Sequence, residues 1–352
     1  MRNFSLNDFT QQEIIPHLKV TEQLIEDVIL KISNKHEKVE ITALPDLGLS
    51  HNIVRMRGGF FTGMYLKWET NIPFIPVDTT VNSCGVNIYE LNDTIDNEEL
   101  FYSMINNAKT LIEKKGLLWN YNEGNHFIIY GLIEGEKPCI ILHSSAKEYK
   151  SYEQKSLYPS HNSWYYKHIK IYKDKLSNRY LRYIEGTIAE KFYNLSKEAH
   201  EFNINRQREI ANIMLGNNIK KELLNLQHYG MPSENEIAIG CSWNTDYYAL
   251  LTAPNKNIFF VQNENKGLVP HGFGVISTNH KPSILYNENN IEIDGEKYQS
   301  GKINREKIIV RNSDLKEKEI YEIANRIVDK CNGKIIFKII PVFSYDYMKT
   351  AH

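Results

Sequence analysis

The chain has 352 residues, of which 41% are hydrophobic and 24% charged, with a formal net charge of −1. That length can bury a large core, and the composition is ordinary for a soluble globular protein. The near-zero charge excludes a global field that would draw in nucleic acid or anionic membrane, so a nucleic-acid partner needs a local basic patch.

No apolar run approaches the roughly 20 residues of a membrane span. The first residues, MRNFSLNDFTQQEIIPHLKV, lack the apolar stretch of a secretory signal. Four scattered cysteines, Cys84, Cys139, Cys241 and Cys331, fit a reducing compartment better than a disulfide framework. The expected location is cytoplasmic, with no membrane partner.

Residues 21–33 carry apolar positions at helical spacing, with Thr21 placed to cap them. Residues 38–44 alternate like a strand that stops at Pro45 and Asp46. Residues 58–68 read as a turn and then a strand, and 97–115 as a helix closed by Gly116. Two apolar strands follow, 126–133 and 138–144, joined by a short polar turn. Paired as a hairpin, they bring His126 and His143 to the same end of a sheet.

Residues 163–226 read as mostly helical, and 228–311 as short strands among Gly, Asn and Pro turns. Residues 314–331 predict a helix capped by Ser313 or Asp314, and 333–343 a closing strand. This order predicts an α+β fold, mixed sheets with flanking helices, in one domain over 1–352.

The chemistry concentrates in five short words: CG at Cys84, GNHF around His126, HS at His143, HYG at His228 and HGFG at His271. One thiolate and several imidazoles suit divalent Mn, Fe, Co, Ni or Zn, whereas an all-oxygen site would suit Mg or Ca. A single buried cysteine is more often a small core residue, which is how Cys139, Cys241 and Cys331 read. Cys84 differs because it stands in a turn-like NSCGV at a strand entry. A lone histidine at a strand end is more often a satisfied polar residue than a ligand.

Taken in order, LPDLG at 44–48, VNSCGV at 81–86, GNHF, HSSAK at 143–147, Asn205-Arg206, HY at 228–229 and HGFG resemble the RtcB family of RNA-splicing ligases. The resemblance spans roughly residues 40 to 345. It implies an RtcB-like fold with a metal centre at strand ends, ligated by Cys84, His126, His143 and His228. Asp78 is the nearest carboxylate for the family's metal aspartate. The resemblance further implies one or two Mn2+ ions, GTP, and RNA with 3′-phosphate (or 2′,3′-cyclic phosphate) and 5′-hydroxyl ends. His271 would become guanylylated, Asn205 and Arg206 would serve the active site, and Asn125, Gly272 and Gly274 would contact nucleotide.

The chain departs from the family pattern mainly around the nucleotide. Val81, Gly48, Ile129, Tyr229 and Val275 replace an aspartate, a histidine, a glutamate, an asparagine and an arginine. Lys349 is the only stand-in for a C-terminal Lys-Gly. The PHGFG loop also fits a second glycine-rich family loop, in which case His271 is not the nucleophile. Three readings stay open: a divergent ligase, a metal-dependent enzyme on the same fold without GTP chemistry, and a non-catalytic RNA-end-binding homologue. Residues 163–183 interleave basic and aromatic side chains, which suits RNA contact or a solvated helix with its tyrosines on the core.

Overall fold

The computed structural model describes residues 1–121, 124–174, 176–253, 255–274, 281–301 and 315–346. The chain opens β1 (Arg2–Asn3), α1 (Phe9–Ser33), β2 (Val39–Gly48), α2 (Ile53–Gly58), β3 (Thr62–Trp68), β4 (Phe74–Pro76), β5 (Gly85–Leu91), α3 (Glu98–Lys114). Next come β6 (Phe127–Ile133), β7 (Lys137–Ser144), α4 (Glu148–Ser151), β8 (Lys170–Asp174), β9 (Arg179–Glu185) and α5 (Thr187–Leu215). The last part holds β10 (Ile219–Gln227), β11 (Tyr229–Ser233), β12 (Glu236–Ile239), β13 (Cys241–Ser242), β14 (Tyr247–Leu250), β15 (Ile258–Asn263) and β16 (Val269–Pro270). It closes with β17 (Ile284–Tyr286), β18 (Ile291–Ile293), β19 (Glu296–Tyr298), α6 (Glu317–Lys330) and β20 (Gly333–Asp346).

The result is a mixed α+β architecture. Its centre is a seven-stranded sheet in the order β10-β5-β7-β6-β20-β15-β14. The edge strands β10 and β14 touch, so the sheet is nearly closed into a barrel. The barrel is lined by Val86, Ile88, Ile129, Ile141 and Ile339. A second, five-stranded sheet has the order β1-β2-β3-β12-β11. Among the described residues no helix is long and apolar enough to cross a membrane.

The hairpin expected around His126 and His143 forms. Phe127 pairs with His143 and Ile133 with Lys137. Glu134 and Gly135 in the turn have φ of 50° and 83°, the backbone that matches a right-handed strand twist. The helix expected at 97–115 also forms: Asn97 caps it, and Phe101, Ile105, Ala108 and Ile112 make its buried stripe.

Three expectations need correction. Thr21 is not a cap. Helix α1 begins at Phe9, where Asp8 and Gln11 form a reciprocal capping box, and it runs through Pro16. The strand from Val39 does not stop at Pro45; it bulges between Ala43 and Gly48 and resumes. A proline cannot donate to the ladder, so the bulge falls where Pro45 sits. The helical reading of residues 163–226 holds for α5 but fails in the stretch before it. The β8–β9 hairpin, rich in β-branched and aromatic residues, comes first, before α5 begins after Gly186. Helix α6 is present, while its expected caps Ser313 and Asp314 lie outside the described residues, as do Val275 and Lys349.

Candidate metal centre

Four adjacent strands of the barrel deliver the site at one rim. Gly85 pairs with Gln227 on one side and with Ser144 on the other, and Phe127 pairs with His143. Cys84 precedes β5, His228 follows β10, His126 precedes β6, and His143 lies near the end of β7. Main-chain bonds lock this register: N–H of His228 and of Tyr229 both donate to the carbonyl of Cys84, at 3.0 and 3.3 Å.

The side chains converge accordingly. Sγ of Cys84 lies 3.2 Å from Nε2 of His143, which lies 3.1 Å from Nε2 of His228. The donor atoms of these three buried residues all fall within 4.8 Å of one another. Their spacing leaves one point from which all three can be reached by a single ion.

The tautomer of His143 follows from its other nitrogen. Nδ1 faces the Asn125 carbonyl at 2.9 Å, and a carbonyl can only accept, so Nδ1 carries the proton. Nε2 is left with its lone pair toward Cys84 and His228. A backbone acceptor behind the ring is the usual way a ligating imidazole is oriented. Burial, and after it the neighbouring His126, push His143 down to about 3. Burial followed by His271 and His143 pushes His228 well below its ordinary value. Burial drives the Cys84 thiol up to about 12, against the nearby Arg55. Without a cation the cluster is thus a thiol among neutral imidazoles. A divalent ion at the same point inverts the thiol's preference and favours thiolate.

His271 extends the cluster. Its ring stacks on His228, centroids 5.0 Å apart and 26° between planes. Its Nδ1 lies 2.8 Å from Oδ2 of Asp46 and 2.8 Å from the Gly240 carbonyl. Nδ1 therefore holds the proton in the neutral ring, and Nε2 holds the lone pair. Asp46 is fully buried on the bulge of β2, and burial raises its pKa against the opposing bond from His271. Gln11 grips both flanks of Asp46, donating to Pro45 O at 2.7 Å and Leu47 O at 3.2 Å. Gly274 has φ of 66° and its Cα packs against the Asp46 carbonyl; an added Cβ would lie 2.2 Å from that oxygen. Gly272 is packed on the carbonyl of Leu251, where an added Cβ would lie 2.5 Å from the oxygen.

The remaining sequence candidates divide. His126 is buried and close, its centroid 5.7 Å from that of His143, with Nδ1 donating to Asn120 O at 2.8 Å. It stands beside the tight trio. Asp78 lies outside the cluster: both its oxygens accept from Arg182, which fixes it as a buried ion-pair partner. Asn205 is exposed on α5 and faces away from the cluster. Arg206 is buried but engaged with Glu148 at 2.8 Å, with Asn203 at 3.0 Å and with the Ser145 and Leu118 carbonyls. It braces the loop after His143. Asn125 contributes its backbone carbonyl to His143, as above, and its residue is exposed.

Sequence reasoning missed Asp46, Asn203 and Gln207. Asn203 donates to the carbonyls of Ser83 and Ser144, both at 3.0 Å, and so grips the neighbours of Cys84 and His143 together. Gln207 donates to the Gly85 carbonyl and the Ser144 hydroxyl, also at 3.0 Å. The i, i+4 spacing of Asn203 and Gln207 was the available signal, since it sets both on one helix face. For Asp46 the signal was LPDLG itself.

The basic and aromatic stretch at 163–183 has many of its cations committed. Lys170 pairs with Glu185, Lys173 with Glu288 and Arg182 with Asp78. No known family model and no curated protein matches the chain.

Proposed function

We propose that the chain is a metal-dependent enzyme of phosphoryl and nucleotidyl transfer, in its sharpest form an RtcB-like RNA ligase. The observation that carries this is the stack of His271 on His228, beside the Cys84–His143–His228 cluster, with Asp46 holding Nδ1. A divalent ion held by those three residues would neutralise phosphate charge and orient an in-line displacement. The resemblance implies Mn2+ and GTP as the cofactors.

In this reading Nε2 of His271 attacks the α-phosphorus of GTP. An N–P bond forms, the α–β anhydride breaks, and pyrophosphate leaves. Asp46 accepts the Nδ1 proton's hydrogen bond, keeps the lone pair on Nε2 and stabilises the positive ring of the phosphoramidate. An RNA 3′-phosphate oxygen then attacks the same phosphorus, and the N–P bond breaks. A 5′-hydroxyl next attacks the activated 3′-phosphate, forming the phosphodiester and releasing GMP. Incubation with GTP and a divalent ion, followed by intact-protein mass measurement, tests this. The expected result is one GMP adduct that His271→Ala abolishes.

A second reading keeps the metal centre and drops the guanylyl-histidine. One observation favours it. Ile129, at the position of the family glutamate, is buried among the apolar side chains inside the barrel. No polar group serves a nucleotide from that position. Metal-dependent phosphoester hydrolysis without any GMP adduct would establish this alternative.

A further inference from the structure

We infer that the centre is built for a thiophilic, imidazole-binding ion, Zn2+ above all, and discriminates against Mn2+. The inference rests on Cys84, His143 and His228 being the ligands, and it departs from the manganese implied by resemblance.

The argument is one of donor chemistry. Mn2+ stands lowest in the divalent affinity order and is best served by carboxylate, carbonyl and water oxygens; thiolate and imidazole suit Zn2+. The cluster offers one sulfur and two nitrogens and no carboxylate oxygen among the described residues. Three buried carboxylates, Asp78, Asp46 and Glu148, each already hold an arginine or a histidine. Asp78 is bound through both oxygens to Arg182. Asp46 is bound to His271. Glu148 pairs with Arg206 at 2.8 Å and accepts from the Leu118 N–H at 2.8 Å. Val81, three residues before Cys84, is buried and apolar and offers no oxygen. Freeing any of the three acids would strand a buried cation, an N–H or a histidine proton, a cost of several kcal/mol in general.

The scaffold also resists rearrangement toward oxygen ligation. Asn203 and Gln207 hold the backbone on both sides of Cys84 and just after His143, and the Asn125 carbonyl holds the His143 ring. Three protein donors leave one position of a tetrahedral ion for water or substrate, the pattern of a catalytic zinc.

The test uses the full chain, stripped with chelator and reloaded. Zn2+ is expected to bind at one equivalent and to stay bound in roughly a hundredfold excess of Mn2+. Co2+ in its place should give a thiolate-to-metal charge-transfer band that Cys84→Ser removes, and X-ray absorption of the zinc form should show one sulfur near about 2.3 Å. His143→Ala, read by the same metal titration, covers the case in which Cys84→Ser does not fold. Equal or tighter binding of Mn2+, or displacement of Zn2+ by it, overturns the selectivity while leaving the centre itself standing. Failure of every ion to bind, or binding that ignores both substitutions, overturns the centre and the inference with it.

Discussion

Nδ1 of His271 and Oδ2 of Asp46 lie 2.8 Å apart although 225 residues separate them in sequence. The carboxylate is fully buried, and the ring stacks on His228 of the metal cluster. This relationship gives the first prediction. Asp46→Asn keeps the shape but offers an amide that can present the wrong end to Nδ1. Formation of the His271 adduct should fall by up to about 10⁴-fold, as for other histidines that lose an orienting carboxylate. Zinc or manganese content should not change, since Asp46 is outside the trio. A normal adduct rate in Asp46→Asn would show that the pair is structural only.

Ligand substitutions should rank by distance from the centre. His143→Ala and His228→Ala remove donors that lie 3.1 Å apart and should abolish stoichiometric metal binding. His126→Ala, beside the trio, should weaken affinity by about 10–100-fold, the scale of an outer partner. Equilibrium metal titration against a chelator of known affinity reads the order; His126→Ala as severe as His143→Ala would promote it to a direct ligand.

Metal-free protein should lose stability in acid. The unfolded chain's histidines titrate near about 6.5, whereas burial holds folded His143 at about 3 and His228 well below its ordinary value. Below about 6.5 the unfolded state takes up protons that the folded state refuses. The stability from neutral His143 is thus present above that value and lost as pH falls toward about 3, at up to about 1.4 kcal/mol per pH unit per histidine. Cys84 acts oppositely, its contribution declining as pH rises from about 8.5 toward the about 12 set by burial. Thermal midpoints of chelator-treated protein should therefore drop on acidification, and more steeply than in the His143→Ala, His228→Ala double variant. Equal slopes would contradict the shifts.

Helix α5 offers a paired control. Asn205→Ala should change stability by less than about 0.5 kcal/mol, as exposed surface positions do, and leave metal affinity intact. Asn203→Ala should lower both, because it releases the carbonyls of Ser83 and Ser144 together. Arg206→Met should cost about 3–5 kcal/mol, since it leaves buried Glu148 without its cation. Urea titration monitored by fluorescence, with metal content measured in parallel, separates these cases.

Gly274→Ala should be severe. Its φ of 66° disfavours a side chain, and the new Cβ would strike the Asp46 carbonyl. Strain of this kind costs about 1–3 kcal/mol. The readout specific to the site is loss of the His271 adduct at temperatures where circular dichroism still reports a folded chain.

How far the sequence was legible follows from the range of the interactions involved. The β6–β7 hairpin and α3 were readable because turn residues, a cap and an apolar stripe are local signals. So was the meeting of His126 and His143, which the hairpin imposes. The reading of α1 starts at Thr21, a residue type that caps helices, and passes over the capping box that Asp8 and Gln11 form further upstream. The β8–β9 hairpin was taken for helix because its lysines and tyrosines satisfy either period over so short a run. Asp78 looked like a ligand by position along the chain, and only Arg182, 104 residues away, shows where it is spent. Asn203 and Asp46 escaped because their roles lie in gripping other elements.

The register Gln227↔Gly85↔Ser144, with Phe127↔His143 beside it, has a consequence for how the protein matures. Cys84, His143 and His228 approach only when chain segments far apart in sequence have docked edge to edge. No local fragment can present the three donors, so the ion has nothing to bind early in folding. Closing such distant loops is the slow part of building a non-local sheet. Metal uptake would then act as a late latch on the barrel rim, and its rate would clock the moment at which the last of these strands locks into place.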